Sequence, residues 1–188
     1  RRQRQMCIRD RFQADPEHLQ LVEKQKKSPV LDTREFRNAL GSFATGITII
    51  SSLGRRGEPI GLTANSFNSV SLDPPLGLFS LARNANTWRE FLSTHYFAVN
   101  ILSTQQQTLS NRFAQPMTDN WGGIDYETWE TGCPILSDCL ANFECEYRYT
   151  HDGGDHVIFV GEVLKMRSQP EGEPLLYFRG NYRELARS

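Results

Sequence analysis

With 188 residues, 38% hydrophobic and 23% charged, the chain has the size and composition of one globular domain with a sizeable core. A formal net charge of −1 provides no electrostatic footprint for nucleic acid or an anionic membrane. No apolar run approaches the roughly 18 residues of a membrane helix, and no apolar segment near the N-terminus reads as a secretory signal, so a cytoplasmic protein is expected.

Residues 1–30 differ from the rest. RRQRQMCIRDRF and VEKQKKSP make a basic N-terminal extension, disordered or foreign to the fold, and residues 31–188 read as the single domain. In DTREFRNALGSF, Asp32 is a helix N-cap with Glu35 three residues on, and Gly41 is a stop. Phe36, Leu40 and Phe43 share one face of that helix. ITIISSLGRRGEPIGLTANSF then predicts a hairpin turning at Gly54–Gly57. No GK[ST] follows those glycines, so they serve a turn and not a phosphate loop.

PLGLFSLA predicts a buried strand, NTWREFLSTH a helix with Thr87 and Glu90 at capping-box spacing, and YFAVNIL a further strand. TQQQTLSNRFA predicts a helix with Thr104 and Gln107 at the same spacing. From Ala141, apolar Phe143, Cys145, Tyr147 and Tyr149 alternate with Asn142, Glu144, Glu146, Arg148 and Thr150, which predicts a strand with one face buried. Asp152-Gly153-Gly154 is the turn from which HVIFVGEVLKM returns antiparallel, and PLLYF is a last short strand. Six or seven hairpin-linked strands with two or three short helices favour a mainly β protein, an antiparallel barrel with helical insertions, over a doubly wound sheet.

Three stretches could carry chemistry. Thr63, Asn65, Ser66, Asn68, Ser69 and Ser71 crowd hydroxyls and amides among apolar residues, which suits a flat amphipathic heterocycle with a polyol tail or, more simply, a hydrogen-bonded turn. Thr87 places a hydroxyl at a helix start with Arg83 and Asn84 upstream, a possible phosphate site or an ordinary cap. HDGGDH brackets a turn with His151, Asp152, Asp155 and His156, whose spacing does not make a metal site; a histidine there could instead meet an anionic or aromatic cofactor. Cys133, Cys139 and Cys145 are spaced by six, which fits no zinc pattern, and with Cys7 they read as reduced thiols. No nucleophile elbow or HExxH occurs, so any chemistry should come from a cofactor.

FRNALGSFATGIT, GLTANSFNSVSLDPPL, YFAVNIL, LSNRFA and HDGGDHVIFVGEV occur in this order. Together they resemble the flavin reductase-like family, which has the FMN-binding split-barrel fold and serves as the reductase component of two-component flavin-dependent monooxygenases. The resemblance covers roughly Leu31 to Leu185. It implies an NAD(P)H:flavin oxidoreductase, with NADH or NADPH as hydride donor, FMN or FAD as acceptor, a homodimeric state and a partner monooxygenase. It places flavin against Thr63, Ala64, Asn65 and Ser66, continues along Ser69, Val70 and Ser71, and brings Thr45 close. Arg83, Asn84 and Thr87 match the phosphate region, with Arg112 and Phe113 behind them. Gly154, Asp155 and His156 match the nicotinamide motif, and Tyr182 would cover the site. No side chain is assigned a catalytic proton transfer and none a metal. The competing reading is a flavin-binding electron carrier on the same fold without NAD(P)H turnover.

Overall fold

The computed structural model describes residues 30–115 and 120–186. The extension over residues 1–29, with Cys7, lies outside the described residues. The chain divides into two compact units, Arg1–Arg37 and Asn38–Ser188. Helix α1 (Thr33–Leu40) begins where expected, the Asp32 Oδ1 accepting the Glu35 N–H at 2.8 Å, and it stops before Gly41. None of its residues is buried.

The second unit is mainly β and antiparallel. After β1 (Thr45–Gly46) come β2 (Thr48–Leu53), β3 (Pro59–Ala64), β4 (Asn68–Leu72) and β5 (Pro75–Ala82). Then follow α2 (Trp88–Phe91), β6 (Tyr96–Ile101), a 3₁₀ turn at Thr104–Gln106 and α3 (Gln107–Phe113). β7 (Tyr126–Thr128), β8 (Pro134–Leu136), β9 (Ala141–Gly153), β10 (His156–Ser168), β11 (Leu176–Phe178) and β12 (Asn181–Arg183) complete the chain. Seven strands form one sheet in the order β3-β2-β6-β9-β10-β5-β4, while β1-β11-β12 and β7-β8 make two small sheets.

Both faces of the large sheet are covered, and that explains the unbroken burial of β2 from Thr48 to Ser52. Ile50 joins Phe79, Phe97, Val99 and Phe159 on one face; Ile49 joins Leu102, Phe113, Leu136 and Leu175 on the other. Phe79 stacks on Phe159 at 5.0 Å between ring centroids and meets Phe97 edge-on at 5.2 Å, which fixes where β5, β6 and β10 cross the core.

Four local expectations are corrected. The start of β9 is not one-sided: Asn142 and Glu144 are 1% and 0% exposed. The β7–β8 segment covers that face, and the polar side chains bind its backbone. Asn142 Nδ2 donates to the Leu136 carbonyl at 3.1 Å and to Asn100 Oδ1 at 2.8 Å, while Glu144 Oε1 accepts the Thr131 N–H at 2.9 Å. Second, Thr87 makes no side-chain cap bond, because its backbone is already helical (φ −92°, ψ −5°) and α2 is one turn long. Third, the capping box before α3 is Ser103–Gln106, one residue earlier than Thr104–Gln107, because the helix is entered through a 3₁₀ turn. Fourth, β9 runs through Asp152 and Gly153, and the turn falls on Gly154-Asp155; Gly154 supplies the positive φ of 79° that a tight hairpin turn requires.

Candidate functional site

An open cleft of about 420 Å³ forms where β3 ends. Its walls are Gly61–Ser66, Ser80–Ala82 with Asn84–Thr87, the end of α3 with Asn120, and His156 at the head of β10. That volume lies within the roughly 300–1,000 Å³ of small-molecule sites. The floor beneath β3 depends on Gly61: a Cβ there would stand 2.8 Å from the Phe113 ring and 2.9 Å from the Trp121 ring. Those two rings meet edge to face at 4.8 Å, so the absence of a side chain lets α3 seat against the strand.

Hydroxyls of the polar stretch hold this wall to the rest of the fold. Thr63 Oγ1 donates to the Ser110 carbonyl at 2.7 Å, tying β3 to α3. Ser66 Oγ donates to the Ser80 carbonyl at 3.1 Å and accepts the Ser80 N–H at 2.9 Å. A single side chain thus stands in for a neighbouring strand and fastens the exit of β3 to β5. Asn65, between these two anchors, is exposed on the cleft wall.

Of the residues singled out from sequence, Thr63, Ala64, Asn65, Ser66, Asn84, Thr87, Phe113 and His156 come together in the lining. Others lie elsewhere. Ser69, Val70 and Ser71 are on β4 at the sheet edge, where Ser71 Oγ accepts the Asp73 N–H at 3.2 Å. Thr45 pairs with Tyr177 in the three-stranded sheet. Arg112 donates to the Gly122 carbonyl at 2.6 Å. The Tyr182 hydroxyl donates to Asn111 Oδ1 at 2.9 Å and lies 2.8 Å from Ser110 Oγ, beside a separate hollow with Thr104 and Leu175. Ser80, Asn86, Gln115 and Asn120 line the cleft without having been picked out. Ser80 had a signal, a lone hydroxyl inside the apolar PLGLFSLA strand. Asn120 had none.

His156 enters the lining from the tip of the β9–β10 hairpin. Arg83 Nε donates to the Gly154 carbonyl at 3.0 Å, its N–H donates to the Asp155 carbonyl at 2.9 Å, and its Nη2 lies 3.3 Å from Asp152 Oδ1. Arg83 is therefore committed to the turn. Asp152 is held below the usual carboxylate range, first by the Gly154 N–H and then by Arg83; Asp155 is lowered by His156, whose Nδ1 is 2.7 Å from Asp155 Oδ1. Among the described residues the lining contains no Asp, Glu, Lys or Arg, and His156 is its one imidazole. The described lining is a set of amides, hydroxyls and apolar side chains, which suits a neutral, partly apolar ring.

The three described cysteines are free and buried. Burial pushes Cys139 up to about 11 and Cys145 up to about 12, and raises Cys133 as well. They are packing residues.

Comparison with known proteins places these features in context. Residues 40–186 match the family described as Flavin reductase like domain. The chain is 42% identical to FMN reductase (NADH) SmoA of Agrobacterium fabrum, covering 83% of this chain and 88% of that protein. It is 39% identical to HsaB of Rhodococcus jostii, the reductase subunit of a flavin-dependent monooxygenase, over 81% of this chain and 77% of the relative. The solved Streptomyces globisporus NADH:FAD oxidoreductase SgcE6, in complex with NAD and FAD fragments, superposes with a TM-score of 0.78 at 35% identity, covering 82% of this chain and 93% of that one. Against the Rhizobium meliloti protein named "Probable flavin reductase", 44% identical over 81% of this chain, the match spans only about half of the relative, 49%.

Proposed function

The chain belongs to the flavin reductase like domain family, and from that premise we propose that it is an NAD(P)H:flavin oxidoreductase supplying reduced FMN or FAD to a separate flavin-dependent monooxygenase. The observation that carries this reading is the cleft lining, with amides, hydroxyls and apolar side chains, one imidazole and, among the described residues, no fixed charge. That donor set fits an isoalloxazine, which has an apolar end and a pyrimidine edge that needs neutral partners. Bound there, flavin supplies the acceptor for the hydride of NADH or NADPH.

The chain's own task in this reading is orientation. Thr63, Ala64, Asn65 and Ser66 form the wall against which the ring lies, fixed by the Thr63 and Ser66 anchors. Leu62, Leu81 and Phe113 keep water from it, and Asn84 and Thr87 serve the polyol and phosphate end. His156 holds the nicotinamide. With no carboxylate among the described residues of the lining, the rate in this reading comes from holding donor and acceptor at near-attack distance. Thr45, Ser69, Val70, Ser71, Arg83, Arg112, Gly154, Asp155 and Tyr182 lie outside this lining, and the proposal gives them no direct contact with the ring. Residues 31–188 form the catalytic domain in this reading and residues 1–30 an appendage. A homodimer belongs to the proposal as well, supported by Phe43 and Leu164, which are 75% and 49% exposed and available to a second copy. Reduced, buried thiols support a cytoplasmic setting, and no described helix is long and apolar enough to cross a membrane.

Loss of NADH absorbance by purified protein, with and without FMN, FAD or riboflavin, tests the proposal. Flavin-dependent oxidation of NADH is expected. A protein that binds flavin yet leaves NADH and NADPH untouched is a carrier, and the reductase reading falls.

A further inference from the structure

Asn120 is 8% exposed, lines the cleft, and carries the one buried side-chain oxygen of that lining that no protein donor reaches among the described residues. Its Nδ2 donates to the Gln115 carbonyl at 3.4 Å, which fixes the orientation of the amide, since the carbonyl cannot accept from Oδ1. A buried acceptor without a donor is costly, and native proteins rarely keep one without a use. The neighbouring Trp121 ring is wedged between Phe113 and Tyr126, at 4.8 and 5.2 Å, so the backbone at this point is held against the end of α3. Among the described residues the carboxamide makes only the long bond to Gln115, and Oδ1 is left over for an occupant of the cleft.

Resting on the flavin reading above, we propose that Asn120 is a flavin-binding residue whose Oδ1 accepts an N–H or O–H of the bound flavin. The side of the cleft favours flavin over nicotinamide. Asn120 adjoins the α3 end, which Thr63 ties to the β3 wall, whereas His156 stands on the β5–β10 side.

The test measures FMN affinity by flavin fluorescence, NADH KM at saturating FMN, and the melting temperature without ligand. In Asn120→Leu the FMN Kd is expected to rise about tenfold or more, with NADH KM unchanged and the melting temperature equal or higher, because an orphaned oxygen is gone. Asn120→Thr against Asn120→Val, equal in shape and differing in an acceptor, should recover part of the affinity, and this pair decides the matter if the leucine variant folds poorly. Unchanged FMN affinity in both Leu and Val variants overturns the proposal, as does a shift confined to NADH KM. A wild-type protein that binds no FMN or FAD overturns the parent reading instead, and this inference with it.

Discussion

The two walls of the cleft are held by different physics. On the β3 side, hydroxyl-to-backbone bonds from Thr63 and Ser66 are part-buried and continuous with the core through Phe113. On the hairpin side, Arg83 pairs with Asp152 and His156 meets Asp155, all through side chains that are 39%, 78%, 43% and 92% exposed. Water and salt weaken the second set of contacts and barely reach the first. The difference teaches which wall sets the shape of the site and which can be adjusted without unfolding it.

Gly61→Val should break this comparison most directly. Its branched side chain has to displace the Phe113 and Trp121 rings that a Cβ would already meet. A loss of about 1–3 kcal/mol in urea unfolding is expected, with weaker flavin binding. An unchanged midpoint would mean that the floor is compliant and not a rigid reference. Ser66→Ala leaves the Ser80 N–H and carbonyl without their partner and should cost about 1–3 kcal/mol by the same measurement. If that variant were as stable as wild type, the stitch between β3 and β5 would be dispensable.

Changes on the hairpin side should leave unfolding nearly untouched. His156→Ala is expected to raise the NADH KM about tenfold, roughly 1.4 kcal/mol, more than it lowers maximal turnover. A dead enzyme with NADH affinity intact would count against a purely orienting role. Arg83→Gln removes a surface ion pair, so its stability cost should stay below about 1 kcal/mol and vanish at high salt.

The gentlest probe is pH. The carboxyls of Asp152 and Asp155 are depressed in the folded protein, so their stabilisation is present above their unfolded values and is lost as pH falls through the folded ones. Acid below the ordinary carboxylate range should therefore quicken amide exchange at the hairpin tip first. Cys145 runs the other way. Raised from 9.0 to about 12, it favours the fold fully below 9.0, and that advantage drains as pH climbs through this interval, because the unfolded thiol ionises first. Alkali should thus act on the core globally, not on the tip.

Much of the fold was legible because its large hairpins obey simple periods. The β2–β3 and β9–β10 pairs announced themselves through apolar runs bounded by glycines. Alternation misled at Asn142 and Glu144, since period two identifies a wet face only when nothing covers it, and the β7–β8 segment does. That segment is short, contains Pro134 and shows no period, so nothing local marked it. Of the site, the polar stretch and the resemblance located one wall. Its hydroxyls, however, serve the fold more than they face a ligand, and Ser69–Ser71 follow the strand away from the cleft. Ser80 and Asn120 reach the site only through pairing between segments distant in sequence, which local pattern does not encode.

The burial of Cys133, Cys139 and Cys145 has a consequence for durability. Reduced flavin that meets oxygen before reaching its user yields hydrogen peroxide, and peroxide attacks thiolates, not protonated thiols. With burial holding these thiols protonated, the described part of the chain presents almost no thiolate to that oxidant. Its accessible sulfur is instead Met166, 58% exposed, whose oxidation to the sulfoxide is reversible by repair enzymes. If the chain is the proposed reductase, oxidative wear of its described residues should therefore fall at the surface and spare the core.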